Sequence, residues 1–259
     1  MKDQEDFKEF VNQFVFKQKN FLKIGVEREY FLADENGQIV PRAPEMLEFL
    51  DNPERFTPEL PACQLESNFG PAENLFQLML GLEQNEHFLK IAEKELGIKR
   101  LYCPVAPPDI PLEIFPSKRY QKIAKSLSPE KLLAGCRIIG THIHIGMPDK
   151  YTGLQVFNQV VGSCQRLIKI GNSRSSSRLQ IYKIVNPNFM PRQYNGWREL
   201  FSDAKRRGFS QDIQCWWDLI RLTRYGTIEF RMFGPCEDIR QIVHWAGICL
   251  ELCAIALLN

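Results

Sequence analysis

Acidic and basic side chains occur in pairs, two positions apart, within otherwise apolar runs of the sequence. Side chains at this spacing on a β-strand point to the same face of a sheet. Burial of a lone carboxylate is costly unless it is paired, hydrogen-bonded or bound to a metal ion. Three runs carry such a pair: Glu27 with Glu29, His142 with His144, and Glu229 with Arg231.

Two further carboxylates, Glu59 and Glu66, lie in a fourth segment. If the segments share one sheet, five glutamates and a histidine meet on one of its faces. Mutual repulsion would raise the pKa values of these glutamates unless cations lay between them. Magnesium binds carboxylates, water and phosphate oxygens, so the pattern predicts a Mg²⁺ site, with Mn²⁺ as the alternative ion. Zinc fits less well, because the cluster is rich in carboxylates and has no cysteine at a suitable spacing.

Each pair taken alone also has an ordinary structural interpretation. A single Glu-x-Glu strand is more often a solvated face, and two histidines are as often core or surface residues. Glu229 with Arg231 is typical of a simple ion pair. The functional interpretation depends on all of these pairs occurring together. Each has the same spacing of two within an apolar strand, so all of them can point to one face of a sheet.

Apolar periodicity predicts the elements that would position these residues. Strands are predicted at 21–33, 63–69, 136–147 and 225–233, and helices at 6–18, 72–96, 151–170, 197–207 and 237–258. The Asp-Glu-Asn-Gly segment at 34–37 is typical of a hairpin turn. Strands that pair in an antiparallel manner, with helices between them, favour an α+β fold over a doubly wound parallel sheet.

Composition narrows the class of protein. Of the 259 residues, 44% are hydrophobic and 25% are charged, the balance of a globular protein. The formal net charge of +2 gives no overall attraction to nucleic acid or to an anionic membrane. The eight cysteines form no Cys-x-x-Cys pair, the first residues do not resemble a signal peptide, and no apolar run reaches the ~18 residues of a membrane span. These features predict a cytoplasmic protein with reduced thiols.

Four segments together resemble the glutamate–cysteine ligase type 2 family, also called carboxylate–amine ligases. They are IGVEREYFLADENGQIVPRAPEML, CQLESNFGP, GTHIHIGMPD and YGTIEFRMF. The resemblance runs in the family's order over residues 24–255, and the same elements are similar, more distantly, to the catalytic core of glutamine synthetase. It implies a single catalytic domain over residues 1–259, with a curved antiparallel sheet flanked by helices. The family pattern continues beyond its last strand, so a C-terminal helical portion is expected to be absent from this chain.

The resemblance also implies a role for each of the paired side chains. One divalent ion would be held by Glu29, Glu59 and Glu66, a second by Glu27, His142 and Glu229; ATP would contact His142, His144 and Arg231; and the catalytic residues would be Arg231, Glu229 and Arg178.

In the implied reaction, ATP phosphorylates the γ-carboxylate of glutamate, and the amine of cysteine then displaces phosphate to form a γ-glutamyl amide, a step of glutathione biosynthesis. Phosphoryl transfer needs positioning and charge neutralisation more than covalent help, which suits a site of metal ligands and arginines. The polar loop at 172–178 would act as a lid that excludes water.

Two other hypotheses stay open at the level of sequence. A non-catalytic descendant of the same fold would bind a nucleotide or a partner, and it would not require a complete set of metal ligands. A ligase with a different amine or carboxylate would keep the whole set, because substrate recognition depends on loops. The partners expected are small amino-acid substrates, without nucleic acid or membrane. The apolar helix predicted at 237–258 also indicates a surface for a homo-oligomer.

Overall fold

The computed structural model describes residues 2–171 and 176–258. In these residues seven strands form one sheet, in which every pairing is antiparallel. The strands follow the order β2-β3-β1-β5-β7-β6, and β4 also pairs with β1. Their bounds are β1 (Ile24–Ala33), β2 (Phe56–Pro58), β3 (Gln64–Ala72), β4 (Lys99–Leu101), β5 (Thr141–Gly146), β6 (Ile220–Leu222) and β7 (Thr227–Phe233).

Helices connect and cover these strands. In chain order they are α1 (Lys2–Asn12), α2 (Ala43–Leu50), α3 (Leu75–Leu96), α4 (Lys118–Ser126), α5 (Pro129–Cys136), α6 (Lys150–Val160), α7 (Cys164–Gly171), α8 (Ser176–Val185), α9 (Trp197–Arg207) and α10 (Ile239–Ala256). An antiparallel sheet flanked by helices is the α+β class that the sequence predicts.

The two faces of β1 have opposite chemistry, as the period of two requires. Ile24 and Val26 are buried in the main hydrophobic core together with residues of α3 and α10. On the same face Arg28 donates to Glu86 of α3 and to the carbonyl of Cys236. Glu27 and Glu29 point the other way and line an open cavity. The sheet therefore separates an apolar core from the face that carries the predicted site.

Several predicted boundaries were wrong. The single helix predicted at 151–170 is divided into α6 and α7 by a short 3₁₀ turn, Val161–Ser163, whose central glycine has low helix propensity. The strand predicted at 136–147 begins only at Thr141, because Cys136 is the last residue of α5. The helix predicted at 6–18 ends at Asn12.

Helix α10 carries the apolar segment at the C-terminal end of the sequence. By length and composition it is the one helix in the described ranges that is long and apolar enough to cross a membrane, with a mean hydropathy of 1.3. It contacts α3, α6 and β5, and its buried face belongs to the main core. A core helix of this kind satisfies the same criterion, so the finding is weak evidence for a membrane. The buried residues are Ile242, Trp245, Ala246, Cys249, Cys253 and Ala256.

Candidate functional site

The strand register brings the predicted residues together. Glu27 of β1 lies opposite His142 of β5, and Glu29 lies opposite Glu66 of β3. On the other side of β5, His144 lies opposite Glu229 of β7. The strands that carry the paired residues therefore share one sheet, as the sequence analysis supposed, and these side chains line one cavity of about 1870 Å³.

One group of potential metal ligands combines three strands. Ligand atoms of Glu27, His142 and Glu229 all lie within 4.8 Å of one another. Nδ1 of His142 is 3.1 Å from Oε2 of Glu27 and 3.7 Å from Oε1 of Glu229. His142 and Glu229 are buried, whereas Glu27 is partly exposed toward the cavity. This is the same set of three residues that the resemblance assigns to one divalent ion.

A second group lies beside the first. Ligand atoms of Glu29, Glu66 and His142 are also mutually within 4.8 Å, so His142 lies between the two groups. Glu59 is outside this set, although it lines the same cavity and its side chain hydrogen-bonds with that of Glu66. The structure thus brings together two of the three residues predicted for this ion and places Glu59 next to them.

Carboxyl groups crowd together at Glu66 of the second group and at the neighbouring Glu59, and this favours their protonated forms. Burial and the charge of Glu29 raise the pKa of Glu59 to about 8. Burial and the charge of Glu27 raise the pKa of Glu66 well above its usual range. Shifts of this kind are expected where carboxylates crowd without a compensating cation. The second group therefore retains protons that a divalent ion would displace.

In the first group, the negative charges of the carboxylates are compensated by neighbouring histidines and arginines. Burial opposes ionisation of Glu27, but the charge of His144 and the close contacts of the carboxylate with both histidines outweigh it and hold the pKa of Glu27 well below its usual range. Burial likewise opposes ionisation of Glu229, and the charges of Arg221 and Arg231 outweigh it and lower its pKa. These carboxylates are ionised at neutral pH and are available as ligands.

Glu229 lies between two guanidinium groups. Nε of Arg221 donates to Oε2 of Glu229 at 2.5 Å, and Nη1 of Arg231 donates to Oε1 at 2.5 Å. Arg221 also donates to the carbonyls of Gln214 and Trp216, and Arg231 donates to the hydroxyl of Tyr182. Each arginine is therefore held rigidly at the wall of the cavity.

Sequence reasoning missed Arg221 as a site residue. It lies on β6, a strand of three residues, which is too short to give a periodicity signal. Arg221 lies opposite Glu229 in the hairpin that β6 forms with β7, eight residues apart in the sequence. The signal that could have found it was the turn with Gly226 between the two strands.

Arg178, predicted to be catalytic, has a fully enclosed guanidinium. Its Nε donates to the carbonyl of Ile139 at 2.6 Å and its Nη1 to the carbonyl of Arg231 at 3.2 Å. These bonds tie α8 to the segment before β5 and to β7. Burial lowers the pKa of Arg178.

Of the predicted lid loop at 172–178, residues 172–175 lie outside the described residues.

His144 has neighbours at both ring nitrogens. Nδ1 lies 2.9 Å from the hydroxyl oxygen of Thr227. Nε2 lies 3.1 Å from Oε1 of Glu27, close enough for a charged contact although the two are not aligned as a regular hydrogen bond. Burial opposes protonation of His144, and the charge of Glu27 outweighs it and raises the pKa of His144.

Basic side chains also line the cavity. They are Lys23, Arg119, Lys122, Arg206 and Arg224. Arg119 donates to the side chain of Gln214. A cavity lined by both carboxylates and basic groups suits a ligand that carries phosphate groups together with divalent cations.

Similarity to solved structures identifies the class of fold. The chain matches a bifunctional glutathione synthetase from Pasteurella multocida with a TM-score of 0.62 and 12% identity, over 99% of this chain and 40% of that one. It matches GmaS in complex with ADP with a TM-score of 0.51 and 12% identity, over 97% of this chain and 58% of that one. At these identities the likeness concerns the fold alone. It confirms the predicted α+β class.

Similarity to curated proteins is more specific. A protein of Gloeobacter violaceus named "Putative glutamate--cysteine ligase 2" is 24% identical over 251 residues, which are 88% of this chain and 66% of that protein. A protein of Mycolicibacterium smegmatis named "Putative glutamate--cysteine ligase 2-2" is 29% identical over 247 residues, 87% of this chain and 60% of that protein. No protein-family model matches. The resemblance to glutamate–cysteine ligase type 2 is confirmed, and the chain spans less than two thirds of the length of these relatives.

Proposed function

We propose that the chain is an ATP-dependent carboxylate–amine ligase that joins the γ-carboxylate of glutamate to the amine of cysteine or of a related compound. A carboxylate oxygen attacks the γ-phosphorus, the bond to the leaving ADP oxygen breaks, and an acyl phosphate forms. The amine nitrogen then attacks the acyl carbon, loses a proton and displaces inorganic phosphate. The observation that carries the proposal is the register that places Glu27 beside His142 and Glu29 beside Glu66 on one cavity wall.

The donor set fits two divalent ions. Each group offers carboxylate oxygens with an imidazole nitrogen within 4.8 Å, and the raised pKa values of Glu59 and Glu66 mark negative charge that this face does not balance by itself. Mg²⁺ at such positions would supply neutralisation and alignment of the phosphate oxygens. Glu27, His142 and Glu229 would hold one ion, and Glu29 with Glu66 the other, with Glu59 beside it.

Two arginines would have different roles: Arg231 would stabilise the charge of the phosphoryl group, and Arg178 would hold the backbone next to it. Arg231 is fixed by Glu229 and by Tyr182, so its charge is already in place beside the first group when charge develops in the transition state. Arg178 donates to backbone carbonyls on both sides of the site. In this proposal Arg178 holds the backbone of Arg231 in position, and Arg231 with Glu229 contacts the reacting groups.

The similar proteins support the choice of substrates. The relatives are named as glutamate–cysteine ligases, and the matched GmaS structure contains ADP. A cytoplasmic location and a role in glutathione biosynthesis are parts of the same proposal. The chain spans less than two thirds of the length of these relatives, so its activity as a ligase is likewise proposed.

The proposal is tested by phosphate release. The chain is incubated with Mg²⁺, ATP and L-glutamate together with each member of a panel of amines, cysteine first, and the products are identified by mass spectrometry. We expect phosphate release that requires both substrates, together with a γ-glutamyl product. Glu229→Gln should abolish it, whereas Glu35→Gln, in an exposed turn, should not. Nucleotide binding without phosphate release for any pair would favour the non-catalytic alternative.

A further inference from the structure

The ring of His144 is held between protein groups on both sides. Nδ1 contacts the hydroxyl of Thr227 at 2.9 Å, and Nε2 contacts Oε1 of Glu27 at 3.1 Å. His144 is only 7% exposed. Both ring nitrogens of His144 therefore face side chains of neighbouring strands.

Two threonines extend the contact away from Glu27. The hydroxyl oxygens of Thr227 and Thr223 are 2.7 Å apart, and the backbone N–H of Tyr225 donates to the Thr223 hydroxyl oxygen at 3.2 Å. Thr223 is 6% exposed. Glu27, His144, Thr227 and Thr223 therefore form a continuous series of polar contacts from the cavity to the turn between β6 and β7.

The turn itself is fixed by its backbone. The N–H of Thr223 donates to the carbonyl of Thr227, and the N–H of Gly226 donates to the carbonyl of Thr223. Gly226 has φ +69, and a Cβ there would lie 2.6 Å from Cα of Phe16, so only glycine satisfies both the conformation and the close approach. The side chains of Thr223, just after β6, and of Thr227, the first residue of β7, are consequently held side by side.

The position of the proton on His144 follows from the group that Nε2 faces. An ionised carboxylate oxygen only accepts hydrogen bonds, so in the neutral ring the proton is on Nε2, next to Oε1 of Glu27. Nδ1 is then left to accept from the hydroxyl of Thr227. If His144 is charged, Nε2 still carries a proton. In either state the same atom of His144 faces the same oxygen of Glu27.

We propose that Thr223, Thr227 and His144 are positioning residues that hold the carboxylate of Glu27 for a divalent ion. Nε2 of His144 contacts Oε1 of Glu27 at 3.1 Å, and Oε2 lies 3.1 Å from Nδ1 of His142, on the side of the first metal group. Groups that orient a ligand in this way commonly change metal affinity 10- to 100-fold when they are removed. The inference rests on the proposed function, since it assumes that this group binds a divalent ion.

The test is direct Mn²⁺ binding to the full chain without nucleotide, measured by electron paramagnetic resonance. Thr227→Val replaces the hydroxyl by a methyl group of similar size, and Thr227→Ser restores the hydroxyl. Thr141→Val is the matched control, because the hydroxyl of Thr141 is buried without a hydrogen-bond partner in the described part of the chain. We expect the Mn²⁺ dissociation constant to rise about tenfold or more in Thr227→Val and to change less than threefold in the serine and control variants.

The outcomes separate this inference from the proposed function. If the wild type does not bind Mn²⁺, the metal site fails and the inference fails with it. If the wild type binds Mn²⁺ and Thr227→Val binds equally well, the positioning role is wrong while the metal site stands. If Thr227→Val does not fold, Thr223→Val at the far end of the series should still weaken Mn²⁺ binding, and unchanged binding there overturns the proposal.

Discussion

Glu29 and Gly140 are joined by two hydrogen bonds. The backbone N–H of Gly140 donates to Oε2 of Glu29 at 2.6 Å, and the backbone N–H of Glu29 donates to the carbonyl of Gly140 at 3.0 Å. A Cβ on residue 140 would lie 2.2 Å from Nη2 of Arg178 and 3.0 Å from the carbonyl oxygen of Phe233. The absence of a side chain at this position thus allows Glu29 and Arg178 to occupy their places together.

Gly140→Ala is therefore expected to destabilise the protein. Arg178 is buried and bound to two carbonyls, so it has little room to move, and overpacking of this kind costs about 1–3 kcal/mol. Urea denaturation measures the change in the free energy of unfolding. Gly162→Ala is the control, since a Cβ there meets nothing within 4 Å. Equal stabilities for the two variants would contradict the packing described here.

Removal of the Arg221 guanidinium should destabilise the protein through Glu229. Arg221→Gln leaves this fully buried carboxylate with Arg231 alone, and the loss of a hydrogen bond to a charged group costs about 2 kcal/mol. Arg224→Gln, on the exposed turn, should change the free energy of unfolding by less than about 0.5 kcal/mol. Combining Arg221→Gln with Glu229→Gln should recover part of the loss. Additive effects in that double-mutant cycle would show that the two side chains are not coupled.

Arg231→Gln is expected to lower catalysis more than nucleotide binding. The charge of Arg231 is placed for a developing phosphoryl charge, and removal of a stabilising donor of this kind typically costs 10²–10³ in kcat. Steady-state phosphate release gives kcat and KM separately, with Glu35→Gln, an exposed residue outside the cavity lining, as the control. A large rise in KM with kcat unchanged would instead indicate that Arg231 contributes to ground-state binding.

The raised pKa values of Glu59 and Glu66 predict a pH dependence of stability. An unfolded glutamate ionises near pH 4.5, whereas Glu59 in the folded protein keeps its proton until about pH 8. The folded state binds more protons across that range, so the free energy of unfolding should fall as the pH rises from about 4.5 to 8. The raised pKa values of Glu66 and His144 act in the same direction.

Urea denaturation at several pH values, without divalent ions, measures this slope. Glu59→Gln should reduce it, because the variant has no proton to lose at this position. Mg²⁺ should also reduce it, because the ion stabilises the ionised carboxylates. A stability that rises between pH 5.5 and 7.5 in the metal-free wild type would contradict the charge crowding at Glu59 and Glu66.

The sequence was sufficient to predict which strands carry the paired side chains and which of these side chains share a face. That success follows from the strict period of two, which fixes the relative direction of Glu27 and Glu29, or of His142 and His144, once a strand is recognised. The order of the four segments in the family pattern indicated that these strands belong to one sheet. The α+β class was predicted from the mixture of strands and helices and from the same family pattern.

Other parts of the site depend on contacts that leave no local pattern. Arg221 lies on a strand of three residues and reaches Glu229 only through the pairing of β6 with β7. The contact of Thr223 with Thr227 requires the turn at Gly226, and that of Thr227 with His144 requires the register of β7 on β5. Tertiary packing also decides element ends, as at Phe14, which lies beyond α1 and packs edge-on against Trp197 with ring centroids 4.9 Å apart.

The central claim is that this cavity binds a nucleotide through divalent ions held by the glutamates of the sheet. Isothermal titration of a non-hydrolysable ATP analogue, with and without Mg²⁺, tests it most directly on the wild type, Glu29→Gln and the exposed control Glu35→Gln. We expect Mg²⁺-dependent binding in the wild type and the control, and at least tenfold weaker binding in Glu29→Gln. Absence of binding in the wild type, or equal binding with and without Mg²⁺ in all three proteins, would contradict the account.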